Sequence, residues 1–350
     1  MPASATIPAK DKIKQLKQIL KHEFLLYITG QKWRQVTRIP LIPQRILWVY
    51  DWNDGIGDSI IGLSQRFKFP PEITVDLCIT KGPAELFQGD TIFRCIYQRI
   101  EECPPDYDFI LLQRLGSASI KRKLRHYPRQ PFAVMVNRPD GEPHDAFFDF
   151  VALRMAQLFG SPTQSPTPPR ISPAVTAGII PQAGRIAVVL GGWDGGARWK
   201  EGRRRWRDLP ELLATVVQNW PEDLPGPHFA LIGSGSSAQE DLASIPPDFV
   251  DRYCTIRLGL PNLAEAAREI QRSALFLGAD GGLMHIAAAL GKPGVALFAE
   301  IRPEWFLLPN NPLTPLYTAR IMADIPRKEI VDAILAAARR TVVDPSLHTS

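Results

Sequence analysis

The chain has 350 residues, which at roughly 150 residues per domain corresponds to about two domains. With 45% hydrophobic and 22% charged residues it is neither disordered, collagen-like nor coiled-coil, and it is long enough to bury a large core. The net charge of +5 is uneven: residues 1–45 carry nine Lys and Arg against Asp11 and Glu23, which is +7, and the remainder sums to −2. Basicity therefore belongs mainly to the N-terminal segment and not to the body; with no recognisable nucleic-acid-binding motif and no aromatics interleaved with the charges, a nucleic-acid partner is not expected. Four cysteines, Cys78, Cys95, Cys103 and Cys254, are too few and scattered for a disulfide framework or a zinc site, so a reducing, cytoplasmic compartment is expected. The longest apolar region, Ser273–Phe298, is broken by Asp280, His285 and Lys292 and falls short of the roughly 18 uncharged residues of a spanning helix. The N-terminus has no apolar core followed by a small-residue cleavage site, so no secretory signal is expected.

In chain order, Ile13, Leu16, Ile19, Leu20, Phe24 and Tyr27 recur at helical spacing within a lysine-rich stretch. Such a basic amphipathic helix has two readings. It lies peripherally on the anionic inner membrane through residues 10–28, or it packs on the body with its lysines in water. After Pro40 and Pro43, Arg45–Tyr50 reads as a buried strand, 53–58 as a Gly-rich turn, and a helix is expected from Ser59. Strand-like runs follow at Thr74–Ile79 and Phe109–Leu112. Residues 161–184 are rich in Pro, Ser and Thr without an apolar period and read as an interdomain linker. A second alternating series then predicts strands at 185–190, 228–232, 274–277 and 294–298 and helices at 209–219, 263–272 and 283–290. The expected organisation is an extension (1–44), an α/β domain (45–160), the linker (161–184), a second α/β domain (185–325) and a terminal helix and tail (326–350). Strands alternating with helices imply parallel sheets covered on both faces.

The segment Leu277-Gly-Ala-Asp-Gly-Gly-Leu-Met-His-Ile-Ala-Ala-Ala-Leu-Gly-Lys-Pro-Gly-Val-Ala-Leu-Phe298 carries the chemistry. A strand ends near Gly278 and a helix starts near Leu283, so backbone N–H groups at Gly281, Gly282 and Leu283 face outward at the positive end of a helix dipole, which favours phosphate. The two glycines permit close approach of a diphosphate. The competing reading is a tight turn with Asp280 as its N-cap.

This segment closely resembles the signature of glycosyltransferase family 9, the ADP-heptose:lipopolysaccharide heptosyltransferases, through Asp280, Gly282, His285, Ala288, Leu290, Gly291 and Pro293. Gly57-Asp58-Ser-Ile-Ile after the first strand and Arg203-Arg-Arg-Trp206 before Leu209-Pro-Glu-Leu-Leu213 resemble two further family motifs, in family order. The likeness runs over about residues 45–340 and leaves the first 44 residues outside it. It implies an α/β protein of GT-B architecture, with two Rossmann-like domains facing across a cleft, a nucleotide-sugar donor on the C-terminal domain, and an inverting transfer without metal or other cofactor. The donor implied is ADP-heptose and the acceptor an anionic glycan or glycolipid such as lipopolysaccharide core.

Under that resemblance Asp58, at the end of the first strand, is the candidate general base, with N-capping as its alternative role and Asp54 as a nearby competitor. Arg204 or Arg205 is expected on donor phosphate, where the family usually has Lys at the position aligned with Arg204; Arg203 and Lys200 are close enough for the alignment to slip. Asp280 and His285 are expected on the donor, Asp280 on its sugar hydroxyls. Glu240, beyond the Gly233-Ser-Gly-Ser-Ser turn, is the candidate for the ribose. Lys121, Arg122 and Arg125 form a basic run expected to attract an anionic acceptor, unless it is only a solvated face. The chain's Asp-x-Asp, Asp106-Tyr-Asp108, precedes a strand in the N-terminal half and does not sit where a metal-dependent transferase holds its cation. Two rivals stay open: the same fold with another nucleotide sugar, for a capsule, O-chain or protein acceptor, and a nucleotide-sugar-binding protein without activity.

Overall fold

The computed structural model describes the chain except residues 1–8, 40–42, 52–54, 137–146, 162–164, 193–205, 207 and 344–350. It divides into two compact units, Met1–Pro169 and Arg170–Ser350.

The first unit is built on a five-stranded, wholly parallel sheet: β1 Arg45–Tyr50, β2 Thr74–Ile79, β3 Phe93–Tyr97, β4 Phe109–Arg114 and β5 Phe132–Val136, in the order β3-β2-β1-β4-β5. Its central strands are apolar along their whole length because both faces are covered; Ile46 to Tyr50 are all buried. The helices are α1 Ala9–Ile28, α2 Ile56–Gly62, α3 Ser117–His126 and α4 Phe147–Phe159. One face of the sheet packs Leu47, Val49, Ile110, Leu112, Phe132 and Val134 together with Leu26 of α1. Within this unit Arg66 and Asp90 form a fully buried pair, with Nε and Nη2 donating 2.9 and 2.7 Å to one carboxylate oxygen.

The second unit contains α5 Pro173–Thr176, β6 Gln182–Val189, α6 Leu209–Gln218, β7 His228–Gly233, α7 Gly235–Ser244, α8 Pro247–Tyr253 and β8 Cys254–Leu258. It continues with α9 Leu263–Arg272, β9 Ser273–Ala279, α10 Gly282–Ala289, β10 Gly294–Ala299, β11 Leu313–Thr318 and α11 Arg327–Val343. Its six parallel strands run β11-β10-β9-β6-β7-β8. The chain starts in the middle of this sheet at β6, proceeds outward on one side, then crosses back to β9, so the strand order reverses between β6 and β9. The first sheet has the same kind of reversal between β1 and β4. Ligands of open α/β sheets bind outside the carboxyl ends of the strands at such points.

Three expectations need correction. The stretch 161–184 is not all linker: Ile171 and Val175 are buried, Ser172 Oγ accepts from the Ala174 N–H at the start of α5, Arg268 of α9 donates to the Val175 carbonyl, and β6 begins at Gln182. The terminal helix belongs to the second core, where Ile330, Val331, Ile334, Ala337 and Ala338 are buried. The extension is not separate either, since Val36 N–H donates to the Phe132 carbonyl and Ile39 N–H to that of Leu158, along the β5 side of the first unit.

Candidate active site

In the first unit, α2 starts at Ile56 and not at Ser59, with Gly55 as its N-cap. Asp58 therefore lies in the first turn and is not the cap; a carboxylate there is favoured by the helix dipole. The helix lies close on the sheet: a Cβ on Gly62 would come within 2.8 Å of Gln113 Nε2 and 3.2 Å of the Tyr50 ring. Burial pushes the Tyr50 phenol up, and the Asp58 carboxylate adds to the shift. Asp54 lies outside the described residues.

A residue that sequence reasoning passed over stands at the same strand end. Asp51 directly follows β1, its carboxylate is 2% exposed, and Ser119 Oγ and Arg122 Nη1 of α3 donate to its Oδ2 at 2.8 and 2.9 Å. Its Oδ1 is buried without a hydrogen-bond partner. Burial raises its pKa above the ordinary carboxylate value, against the opposing pull of Ser119 and Arg122. The basic run of α3 is thus divided three ways. Arg122 turns to the strand end, Lys121 and Arg125 are exposed, and Lys123 is buried against Gln31 Oε1 and the Phe132 ring, its pKa lowered by burial to about 8.

In the second unit, α10 starts at Gly282, one residue earlier than the pattern suggested. Its N-cap is Gly281, in extended conformation and with no side chain of its own to cap the helix, so Asp280 is not the N-cap. Gly281, Gly282 and Leu283 are half-exposed, and the amides of this first turn lie at the positive end of the helix dipole. Asp280, at the end of β9, is buried; its N–H donates 2.8 Å to the Leu297 carbonyl of β10. His285, one turn into α10, brings Nε2 to 3.9 Å from Asp280 Oδ1 and sets its ring edge-on to Phe306 at 5.5 Å. Asp280, Gly281, Gly282, Leu283 and His285 are thus one cluster at the carboxyl end of β9.

Next to it, at the carboxyl ends of β6 and β9, a small recess open to solvent is lined by Val189, Gly191, Trp206, Asp241, Gly278 and Ala279. Gly191 has φ +77°, and a Cβ there would meet Ser237 Oγ at 2.8 Å and the Ala238 nitrogen at 2.9 Å, so only glycine lets this loop close onto α7. Asp241 of α7 accepts from the Gly191 N–H at 2.6 Å. Glu240, chosen from the sequence, points to solvent, and its neighbour Asp241 faces the recess. The i to i+1 turn of a helix decides this, and sequence reasoning had not placed where α7 begins. Trp206 is nearly buried, with its Nε1 lacking a hydrogen-bond partner. Arg203, Arg204, Arg205 and Lys200 lie outside the described residues.

The Asp-x-Asp is used structurally at the opposite, amino end of the first sheet. Asp106 pairs with Arg45, and Asp108 Oδ2 accepts from the Gln44 and Arg45 N–H groups at 3.0 and 2.8 Å. Among the described residues no group of three or more His, Cys, Asp or Glu side chains is arranged to hold a metal ion.

Comparison with known proteins points the same way as the β9–α10 geometry. Residues 228–329 match the model of glycosyltransferase family 9 (heptosyltransferase). The lipooligosaccharide heptosyltransferase 2 of Haemophilus influenzae is 27% identical over 146 residues, which cover 39% of this chain and 40% of that relative's length. A family 9 glycosyltransferase from Veillonella parvula superimposes with a TM-score of 0.63 at 14% identity, over 87% of this chain and all of that one. The E. coli ADP-heptose lipopolysaccharide heptosyltransferase II gives 0.61 at 17% identity, over 85% and 99%. The E. coli heptosyltransferase WaaC, solved with ADP, gives 0.58 at 14%, over 84% and 99%. At these identities the structural likeness speaks to fold, and the sequence match to the segment that holds Asp280 and His285. Residues 228–329 thus match the model of glycosyltransferase family 9, in a chain whose two parallel-sheet, Rossmann-like units share the fold of solved family 9 glycosyltransferases and heptosyltransferases.

Proposed function

We propose that this protein is an inverting, metal-independent glycosyltransferase that moves a heptose from ADP-heptose to a lipopolysaccharide-core or related anionic glycan. The observation that carries the reading is the glycine-capped start of α10, with Asp280 and His285 beside it, inside the family-matched segment. The matched relatives solved with ADP and with ADP-2-deoxy-2-fluoro heptose support that donor. The amides at Gly281, Gly282 and Leu283 bind the diphosphate, and Arg204 and Arg205 add positive charge to it. Asp280 and His285 orient the sugar. Asp241, which lines the recess at the end of β6, is the candidate for the ribose in place of Glu240.

On the other side of the reaction, Asp58 accepts the proton of the acceptor hydroxyl as its oxygen bonds to the anomeric carbon. The bond from that carbon to the diphosphate oxygen breaks on the opposite face, and the electron pair leaves with ADP. The negative charge growing on ADP is met by the α10 amides and the arginines, so protein groups supply what a cation supplies elsewhere. Arg122, held by Asp51, meets an acidic group of the acceptor, with Lys121 and Arg125 contributing field at longer range.

The test is Asp58→Asn measured on two readouts. Turnover of ADP-heptose on a heptose-accepting core glycan should fall at least about 100-fold, the lower end of general-base contributions. Calorimetric ADP affinity, with EDTA present, should stay within about twofold. Unchanged turnover would remove Asp58 from the chemistry. A preference for UDP or GDP over ADP would overturn the heptose assignment and leave the fold standing.

A further inference from the structure

The helix α1 is anchored at its carboxyl end. Leu26 is fully buried in the first unit's core and Leu25 packs partly against it, while Gln31 donates to the Pro128 carbonyl. Leu16, Ile19, Leu20, Phe24, Tyr27 and Ile28 form a separate stripe at spacings of three and four residues, and all are exposed, Phe24 to 65%. Trp33, just beyond the helix, is 80% exposed, with its ring 6.5 Å from that of Tyr27. Scattered surface leucines need no explanation, but a continuous stripe of six large apolar side chains ending in a Tyr–Trp pair does.

Charge says what covers it. The helix carries five lysines against Asp11 and Glu23, and Lys17 and Lys21 are exposed beside the stripe. Glu23 is neutralised by Lys32 at 2.5 Å. Residues 1–45 sum to +7 while the remainder of the chain is negative, so two copies of this face would repel each other and an anionic surface would attract it. Tyr and Trp prefer the boundary between hydrocarbon and water, and they sit at the end of the stripe nearest the body. Among the described residues no helix is long and apolar enough to cross a membrane. We infer that α1 lies in the plane of an anionic lipid surface, with Leu16, Leu20, Phe24 and Tyr27 buried among the acyl chains, Trp33 at the headgroups, and its lysines on lipid phosphate. The inference is independent of the reaction proposed above.

The full chain should be sedimented with vesicles of phosphatidylcholine alone and with 30% phosphatidylglycerol added. Binding should need the anionic lipid and weaken more than tenfold between 50 and 500 mM salt, since each lysine near such a surface is worth roughly fivefold. Phe24→Glu with Leu20→Glu should weaken it at least tenfold while the circular dichroism is unchanged. Trp33 gives a second readout: a blue shift of tryptophan fluorescence on anionic vesicles that is lost in Trp33→Phe. Equal binding to both vesicle types, or none, would overturn the inference. So would a lipid-independent dimer dispersed by Phe24→Glu, which would make the stripe a contact between copies.

Discussion

Lys292 offers a quantitative check on the packing behind the α10 site. It lies between α10 and β10, is 3% exposed, and its Nζ donates 2.9 Å to the Gln271 carbonyl of α9, so it ties together the corner from which α10 is aimed. Burial pushes its pKa from 10.5 down to about 7. Between those values the unfolded chain holds a proton that the native protein has released, so stability rises with pH, by about 1.4 kcal/mol per unit. A depressed folded pKa contributes stability that is complete above the unfolded pKa and is lost as pH falls through the folded one. For Lys292 the window runs from about pH 10.5 down to about 7, a total of roughly 5 kcal/mol. Lys292→Met keeps the length of the side chain and removes the titration. Urea unfolding of both proteins at pH 7.5 and 9.5 measures the effect. The wild type's stability relative to the variant should improve by roughly 2.5 kcal/mol from the lower to the higher pH. Groups common to both proteins cancel in this comparison, and the lost bond to Gln271 adds only an offset that does not change with pH. Stability curves that run parallel would show that Lys292 is solvated as an ammonium in the native state, and the reasoning would fail.

Two further substitutions separate site from scaffold. Asp51→Asn removes the charge that holds Arg122 and should raise the acceptor KM roughly fivefold, the worth of a half-exposed ion pair, with ADP affinity unchanged; a fall in kcat at constant KM would instead place Asp51 in the chemical step. Asp90→Ala removes the carboxylate that Nε and Nη2 of the buried Arg66 engage and should cost about 3–5 kcal/mol by urea unfolding, and a loss under about 1 kcal/mol would mean that other groups or water meet the guanidinium as well.

Much of the fold was legible because parallel strands covered on both faces are written as uninterrupted apolar runs. Residues 46–50 and 229–233 stand out for that reason, and Thr74–Ile79 stands out despite the buried Asp76 in its middle. Strands of more mixed character did not. Cys254–Leu258 and Leu313–Thr318 are edge strands, half-buried through much of their length, and Thr255, Arg257, Thr314 and Pro315 break any run. Phe93–Tyr97 is likewise an edge strand, half-buried through most of its length. Phe132–Val136 is fully buried and was missed all the same, its five residues following a proline- and arginine-rich turn. The stretch 161–184 was misread as linker because proline density was taken as evidence of looseness, whereas Pro173 sits in the first turn of α5 and Ser172 caps it.

The site divides along the same line. Asp280, the glycines and His285 are contiguous in sequence, so the chain itself brings them together, and reading along it was enough. Asp51 and Arg122 are 71 residues apart and meet only because β1 and β4 are neighbours in the sheet. Nothing in the run Lys121-Arg-Lys-Leu-Arg125 distinguishes the residue that turns to the strand end from the one that is buried; three consecutive charges on a helix point about 100° apart, and what each meets is fixed by other elements. The sheet order supplies the missing rule. Once β1 is known to be flanked by β2 and β4, the residue after β1 and the beginnings of α2 and α3 share one strand end, and Asp51, Asp58, Ser119 and Arg122 are among the polar residues there. A carboxylate with one oxygen engaged and the other buried without a partner is an arrangement that stability alone does not favour. That cost is what makes this strand end the place to look for acceptor chemistry in the first unit.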